Sequence, residues 1–343
     1  MSTDSPLVSV LVPVYNAAPY IAELCQSIQA QTHQNFEALI LDDGSSDGTA
    51  SVLSCYRKDP RFKILGWKSN RGVNAATSAL LGLMKGDYWC NPGADDVLLP
   101  DFVAKRLERL ESSPEAALVH GPAEIIDASG QPRKDDFPRL ELPAQMDGKR
   151  ALTVLLQHNI VGTSSVLVRS DITRLVLPFF LCHWKYAQDW YLWLLHAASG
   201  FDLLWDERCL HKYRVHDQSL TNAPRHNAVR RAETRLVPLC ALSTAAQFSH
   251  PAADQWSKWR KVLYRAWLLR AVNLQARGVL QADWLCLAGR AYYGKNAGRI
   301  SLFQELCRHA LGMPLTRLKE QHAIKKQSFR VSGIAQINDP IFR

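Results

Sequence analysis

Residues Gly86 to Pro100 read G-D-Y-W-C-N-P-G-A-D-D-V-L-L-P. An aromatic, strand-like piece, Tyr88-Trp89-Cys90, runs into Asn91, Pro92 and Gly93, which break regular structure. Two adjacent carboxylates follow, Asp95 and Asp96, and then an apolar run closed by Pro100. Charges on a turn at the end of a strand are displayed at a sheet edge, where open α/β sheets bind ligands. Side by side, two carboxylates repel unless a cation or a proton neutralises them. Their hard oxygens suit Mg²⁺ or Mn²⁺, and Mg²⁺ commonly joins one or two carboxylates to substrate phosphates. The same residues also fit an Asp-rich turn that caps a helix starting near Asp101. The flanking segments separate the two readings.

On the N-terminal side, Leu7 to Val14 (L-V-S-V-L-V-P-V) is a β-branched apolar run without helical period, the pattern of a buried parallel strand. The spacing of Ile21, Leu24, Cys25 and Ile28 predicts a helix from about Pro19 to Gln31. Phe36 to Leu41 and Phe62 to Leu65 read as further strands. Between them lies the polar loop Asp42 to Thr49, which opens a helix. Asn70-Arg71-Gly72 is a turn, Ala75 to Met84 a helix, and Tyr88 to Asn91 the fourth strand. Strands alternating with helices in this way predict βαβ units and a mostly parallel sheet covered on both faces. Functional groups then belong in the loops after the strands, at 13–16, 42–49 and 91–96.

Composition sets the outer limits. A chain of 343 residues holds two domains, or one large α/β domain with an appendage, and 47% hydrophobic residues exclude a disordered chain. No apolar run reaches the roughly 18 residues of a membrane span. The first Lys or Arg is Arg57, so the N-terminus does not read as a secretory or transit signal. Eight scattered cysteines without a C-x-x-C pair read as reduced thiols in a cytoplasmic protein. The net charge of +9 is uneven: Gln255 to Arg330 carry 15 Lys and Arg against 3 Asp and Glu, leaving the remainder slightly acidic.

The motifs V-S-V-L-V-P-V-Y-N, L-I-L-D-D-G-S-S-D-G-T, N-R-G…K-G-D-Y and A-D-D-V-L-L-P stand in the order and spacing of the family 2 inverting glycosyltransferases, which the chain resembles. Gln188-Asp189-Trp190 resembles that family's Glu-Asp motif, and Tyr213-Arg214-Val215-His216 with Ser219 and Thr221 its closing motif. The resemblance covers about residues 7 to 221. It implies a GT-A fold and transfer of a sugar from a nucleotide-diphosphate donor, a UDP-sugar above all, with Mn²⁺ or Mg²⁺ as cofactor. No G-x-G-x-x-G or G-x-x-x-x-G-K-[ST] run supplies the phosphate cradle of a dehydrogenase or a P-loop. Two positions depart from the family pattern: Gly93 stands where D-x-D-D has its first Asp, and Gln188 replaces the Glu of Glu-Asp.

Carried over by motif, the resemblance places donor contacts at Pro13, Tyr15, Asn16, Asp43, Asn70, Gly72, Asp95 and Arg214. Asp43 corresponds to the residue that binds the base, and Arg214 fits either phosphate or a structural pair; Asp42 reads from turn chemistry as satisfying loop N–H groups, with a ligand contact as the alternative. Metal contacts fall on Asp95, Asp96 and His216, with the choice between the two aspartates open. Asp189 is the general base, or alternatively a helix cap. The implied division is a catalytic domain over 1–222, nucleotide-sugar half to about residue 100 and acceptor half beyond, followed by a basic helical region over 223–343. From Asp254 onward Trp256, Trp259, Leu263 and Trp267 alternate with Lys258, Lys261 and Arg265, the pattern of amphipathic helices that lie on anionic membrane or, alternatively, pack on the catalytic domain with their basic residues solvated. The acceptor is then a glycan or a lipid-linked glycan in surface polysaccharide synthesis, at the inner face of the membrane. Nucleic acid is not an expected partner. The rival readings are a non-catalytic nucleotide-sugar-binding relative, and a nucleic-acid-binding protein that uses the basic tail.

Overall fold

The computed structural model describes residues 5–133, 142–180 and 184–219, and seven positions between 230 and 241 (230, 233, 234, 237, 238, 240 and 241). The basic segment from 254 to 330 and most of the region expected over 223–343 lie outside the described residues.

The apolar runs become the middle of one large sheet. β1 (Val8–Val14) pairs in parallel with β2 (Phe36–Asp42), Val8 opposite Phe36 and Val14 opposite Asp42. Nearly every residue of both strands is buried, which is why their sequences carry no polar alternation. Helix α1 (Ile21–Gln29) buries Ile21, Leu24, Cys25 and Ile28, the face read from their spacing. A short helix α2 (Thr49–Ser54) precedes β3 (Phe62–Gly66), which adds in parallel outside β2. Helix α3 (Val73–Leu83) leads to β4 (Tyr88–Cys90), which adds on the other side of β1. Gly86 sits where a Cβ would lie 2.6 Å from Ser9 N and 2.8 Å from Leu7 O, so only glycine lets the chain enter β4 this close to β1.

The apolar run after Asp96 forms a two-residue strand, β5 (Val97–Leu98), ahead of α4 (Phe102–Glu111). After β6 (Ala116–His120), β7 (Glu124–Ile126) and β8 (Gln145–Met146), Asp147 caps α5 (Gly148–Leu155) by accepting the Arg150 N–H at 2.9 Å. Thr163–Ser165 is a 3₁₀ turn, and the strand after it, β9 (Leu167–Arg169), runs antiparallel between β4 and β6. The sheet is therefore mixed at its centre. Helix α6 (Ser170–Val176), then α7 (Gln188–Ala198), β10 (Asp202–Trp205) and β11 (His211–Arg214) follow. The large sheet has the order β3-β2-β1-β4-β9-β6-β10-β8, and a small sheet has the order β5-β11-β7. Helix α7 is buried on almost all sides, consistent with its run of Trp, Tyr and Leu. No helix among the described residues is long and apolar enough to cross a membrane.

Candidate active site

The register of β1 on β2 brings two loops out at the same sheet edge. The Asp43 N–H bonds Val14 O at 2.8 Å, the Asn16 N–H bonds Ser45 Oγ at 2.9 Å, and the Ser46 N–H bonds Asn16 Oδ1 at 2.9 Å. Asn16 holds φ +49°, a left-handed turn that Asn tolerates better than most residues. Pro13 lies in β1, and Tyr15 projects from the edge, 48% exposed. Asp42 accepts the Ser45 N–H at 3.0 Å, the loop-supporting role read for it. Asp43 is buried and takes two amides of the next loop, Arg71 N–H at 2.7 Å and Gly72 N–H at 2.8 Å. Asp43 and the Asn70-Arg71-Gly72 turn thus form one wall, with the Arg71 guanidinium 4.7 Å over the Trp67 ring.

The two aspartates after β4 divide their work. Asp96 is buried: Oδ2 accepts the Gly93 N–H at 3.0 Å, Oδ1 accepts the Arg214 N–H at 3.0 Å, and the Ser164 hydroxyl also bonds it. Burial, and then the neighbouring Asp95 charge, push its carboxyl well above the usual carboxylate range. Asp95 instead faces His216, Oδ2 to Nε2 at 2.9 Å, and remains 27% exposed. The His216 ring lies 4.8 Å from that of Tyr20. The small sheet makes this meeting: β11 pairs antiparallel to β5 and parallel to β7, which carries the 214–216 stretch over the Asp turn.

Arg214 is the clamp of the site. Its Nε donates to Asp95 O at 2.7 Å, one terminal nitrogen to Asp127 O and Ala128 O, and the other to Glu23 Oε2 at 2.5 Å. The guanidinium also sits 5.1 Å over the Tyr20 ring, and the residue is 2% exposed. Of the two roles read for Arg214, these bonds describe the structural one.

Gly93 packs beneath the carboxylates: a Cβ there would lie 2.7 Å from Asp96 Oδ2 and 2.8 Å from Asp95 Oδ1. Gln188 points away from Asp189 and donates to Asn74 O at 3.2 Å and Ser78 Oγ at 3.4 Å, tying α7 to α3. Asp189, in the first turn of α7, accepts on Oδ2 from Asn159 Nδ2 at 3.1 Å and from Thr163 Oγ1 at 2.9 Å. Burial raises its pKa, against the lowering pull of the Trp190 amide, Thr163 and Asn159. The adjacent Ser164 donates from the other side of the same turn, reaching Asp96, and its Oγ accepts the Gly93 N–H at 3.3 Å. One 3₁₀ turn therefore joins the Asp189 carboxylate to the Asp95–Asp96 turn. Asn159, Thr163, Ser164, Tyr20 and Glu23 went unread as site residues. The hydroxyl run Thr163-Ser164-Ser165 is the one local signal that pointed to any of them.

A divalent cation fits the Asp95–His216 pair. Two neighbouring ligands of an octahedral ion held at 2.0–2.1 Å stand about 3 Å apart, close to the observed separation, and Mg²⁺ takes few protein ligands beside phosphate and water. Among the described residues no group of three or more His, Cys, Asp or Glu gathers around one point, so an ion held by this pair would need other donors for the rest of its shell.

A parallel-rich sheet with loops at one edge, a small second sheet across them and an acidic turn after the fourth strand defines a GT-A, nucleotide-sugar transferase fold. Solved structures share it: Staphylococcus aureus TarS 1–349 in complex with UDP-GlcNAc (TM-score 0.62, 12% identity, 96% of this chain and 93% of that one). Mannosyltransferase PcManGT from Pyrobaculum calidifontis, in complex with GDP-Man and Mn²⁺, also shares it (TM-score 0.52, 19% identity, 90% and 87%). The profile of Glycosyl transferase family 2 matches residues 9–174. An uncharacterized glycosyltransferase of Rickettsia typhi is 30% identical over 227 residues, 64% of this chain and 68% of the relative. The putative teichuronic acid biosynthesis glycosyltransferase TuaG of Bacillus subtilis is 29% identical over 224 residues, 65% and 84%. The chain belongs to glycosyltransferase family 2.

Proposed function

We propose that this glycosyltransferase moves a sugar, with inversion, from a UDP-sugar to a hydroxyl of a surface glycan or its lipid-linked precursor. The observation that carries the reading is the turn Thr163–Ser165, which links a candidate base, Asp189, to the candidate diphosphate site at Asp95 and His216. The UDP complexes of TarS and the teichuronic acid assignment of TuaG favour this donor and this pathway class. The basic, Trp-bearing segment after 254 supports attachment to an anionic membrane surface, where lipid-linked acceptors lie.

Asp43 and the Asn70–Gly72 turn hold the base, with Pro13, Tyr15 and Asn16 lining the strand end. Asp95 and His216 would hold Mn²⁺ or Mg²⁺, which when bound offsets charge on the departing diphosphate. Asp96 and Arg214 keep Asp95 in place. Asp189 takes the proton of the acceptor hydroxyl as its oxygen bonds to the anomeric carbon, and the carbon–oxygen bond to the diphosphate breaks to release UDP. Desolvation favours this, because a carboxylate with a raised pKa is the stronger base.

Purified protein with Mn²⁺ and a panel of nucleotide sugars tests the reading, by thermal shift and by UDP release. Stabilisation by UDP and one UDP-sugar, with release abolished by EDTA, is expected. Stabilisation without any release, even with glycan acceptors, would make the chain a binding relative; no stabilisation by any nucleotide would sink the reading. Pelleting with phosphatidylglycerol vesicles, compared between the full chain and a version ending near residue 253, tests the membrane contact.

A further inference from the structure

The loop that delivers Asp189 is held by a residue from beyond the resemblance and beyond the family match. Glu233, 4% exposed, accepts the Lys185 N–H on Oε1 at 2.7 Å, and on Oε2 the N–H groups of Tyr186 and Ala187 at 2.7 and 3.2 Å. Ala187 is the N-cap of α7, so these amides lie at its positive end, where helical bonding supplies no acceptor. Three consecutive N–H groups converging on one carboxylate fix the backbone direction of the loop, through hydrogen bonds of the stronger, charge-assisted kind. Glu233 is itself anchored: positions 233, 237 and 241 are helical, and Val237 and Ala241 at the same helical spacing are 0% and 1% exposed.

We infer that Glu233 is a positioning residue for Asp189, so that a residue outside the family match supports the acceptor side of the catalytic centre. The inference rests on the reading of Asp189 as the base. Asn159 and Thr163 hold the carboxylate itself, while Glu233 sets the main chain at 185–187, two to four residues before Asp189. Without Glu233 three amides lose their acceptor, and the loop must turn to find water. A shift of about 1 Å at a reacting group costs on the order of a hundredfold in rate, whereas donor contacts at Asp43 and Asp95 lie on other elements and stay put.

The test uses the full-length protein carrying Glu233→Ala, Glu233→Gln or Asp189→Asn. For Glu233→Ala, kcat should fall about tenfold or more while UDP affinity in Mn²⁺ stays within about twofold. Hydrogen exchange should quicken at the amides of 185–187 ahead of the rest of the chain. Glu233→Gln keeps one acceptor oxygen, so it should fold even where the alanine variant does not and lose less activity. Wild-type kcat in a folded Glu233 variant, with Asp189→Asn inactive, overturns the role of Glu233 alone. Equal losses of UDP affinity and kcat, with uniform loss of amide protection, would mark a merely structural residue and overturn it too. Wild-type turnover by Asp189→Asn removes the base reading and this inference with it.

Discussion

Asp95 Oδ2 and His216 Nε2 stand 2.9 Å apart although 121 residues separate them in the chain. The antiparallel pairing of Lys212 with Val97 creates that approach, just beyond the Asp turn, and Arg214 locks it by bonding Asp95 O and the Asp96 carboxylate. Only Asp95 of the two aspartates keeps an exposed oxygen towards the histidine.

The aspartates should therefore fail in different ways. Asp95→Ala and His216→Ala are expected to fold normally and lower Mn²⁺-dependent UDP affinity by about tenfold or more, as removal of an ion ligand does. Asp96→Ala leaves the Arg214 amide without its acceptor, at about 1–3 kcal/mol, and the Gly93 amide with only its longer bond to Ser164 Oγ. Calorimetry with UDP, run with Mn²⁺ and with EDTA, and urea unfolding together separate ligand from brace.

Asp189→Asn keeps shape and still bonds Thr163, but cannot take a proton. Turnover should drop about 10²–10⁴-fold with donor binding retained, the range assigned to general-base catalysis. Single-turnover kinetics beside UDP calorimetry measure both. A near-normal rate would leave Asp189 as a helix cap.

Restoring the family's acid at position 93 should harm the protein. A Cβ there meets both carboxylates under 3 Å, and the added charge repels them. Gly93→Asp is expected to lower the melting temperature and weaken UDP binding in Mn²⁺, whereas a gain in either would show that the glycine is a lost ligand. Differential scanning calorimetry and titration with UDP decide.

Stability should fall on the acid side of neutrality because of three buried histidines. His120 and His211, beside the buried Arg106–Asp206 ion pair, are pushed down to about 3 by burial and the Arg106 charge. His196, between Thr173 Oγ1 and Leu192 O, is pushed down to about 4 by burial. A histidine whose folded pKa is depressed binds fewer protons folded than unfolded, so stability is full above the unfolded value of 6.5 and is lost as pH falls towards the folded one. Each contributes a slope of about 1.4 kcal/mol per pH unit once well below 6.5. Urea midpoints between pH 7 and 5 should fall accordingly, and less steeply in His211→Phe; a flat profile would mean that these rings take protons while folded.

How far the sequence reached depended on whether a signal was local. Strand and helix came from the apolar periods of Val8–Val14, Phe36–Asp42 and Ile21–Gln29, because burial on two faces or on one stripe writes itself into neighbouring residues. Asp43, Asp95, Asp189 and His216 stood out as candidates because each sits in a motif a few residues long. Nothing local marked Val97–Leu98 as a strand or β9 as antiparallel, since two- and three-residue strands carry too few side chains to show a period and their pairing is chosen by distant partners. The roles inside the site also waited on the fold. Asp95 and Asp96 are chemically identical neighbours, and only the arrival of Arg214 at the end of β11, and of His216 just past it, buries one and turns the other to the histidine. Glu233 is the extreme case: a lone acidic residue is ordinary in sequence, and its meaning lies in three amides some 46 to 48 positions away that chain folding alone brings to it.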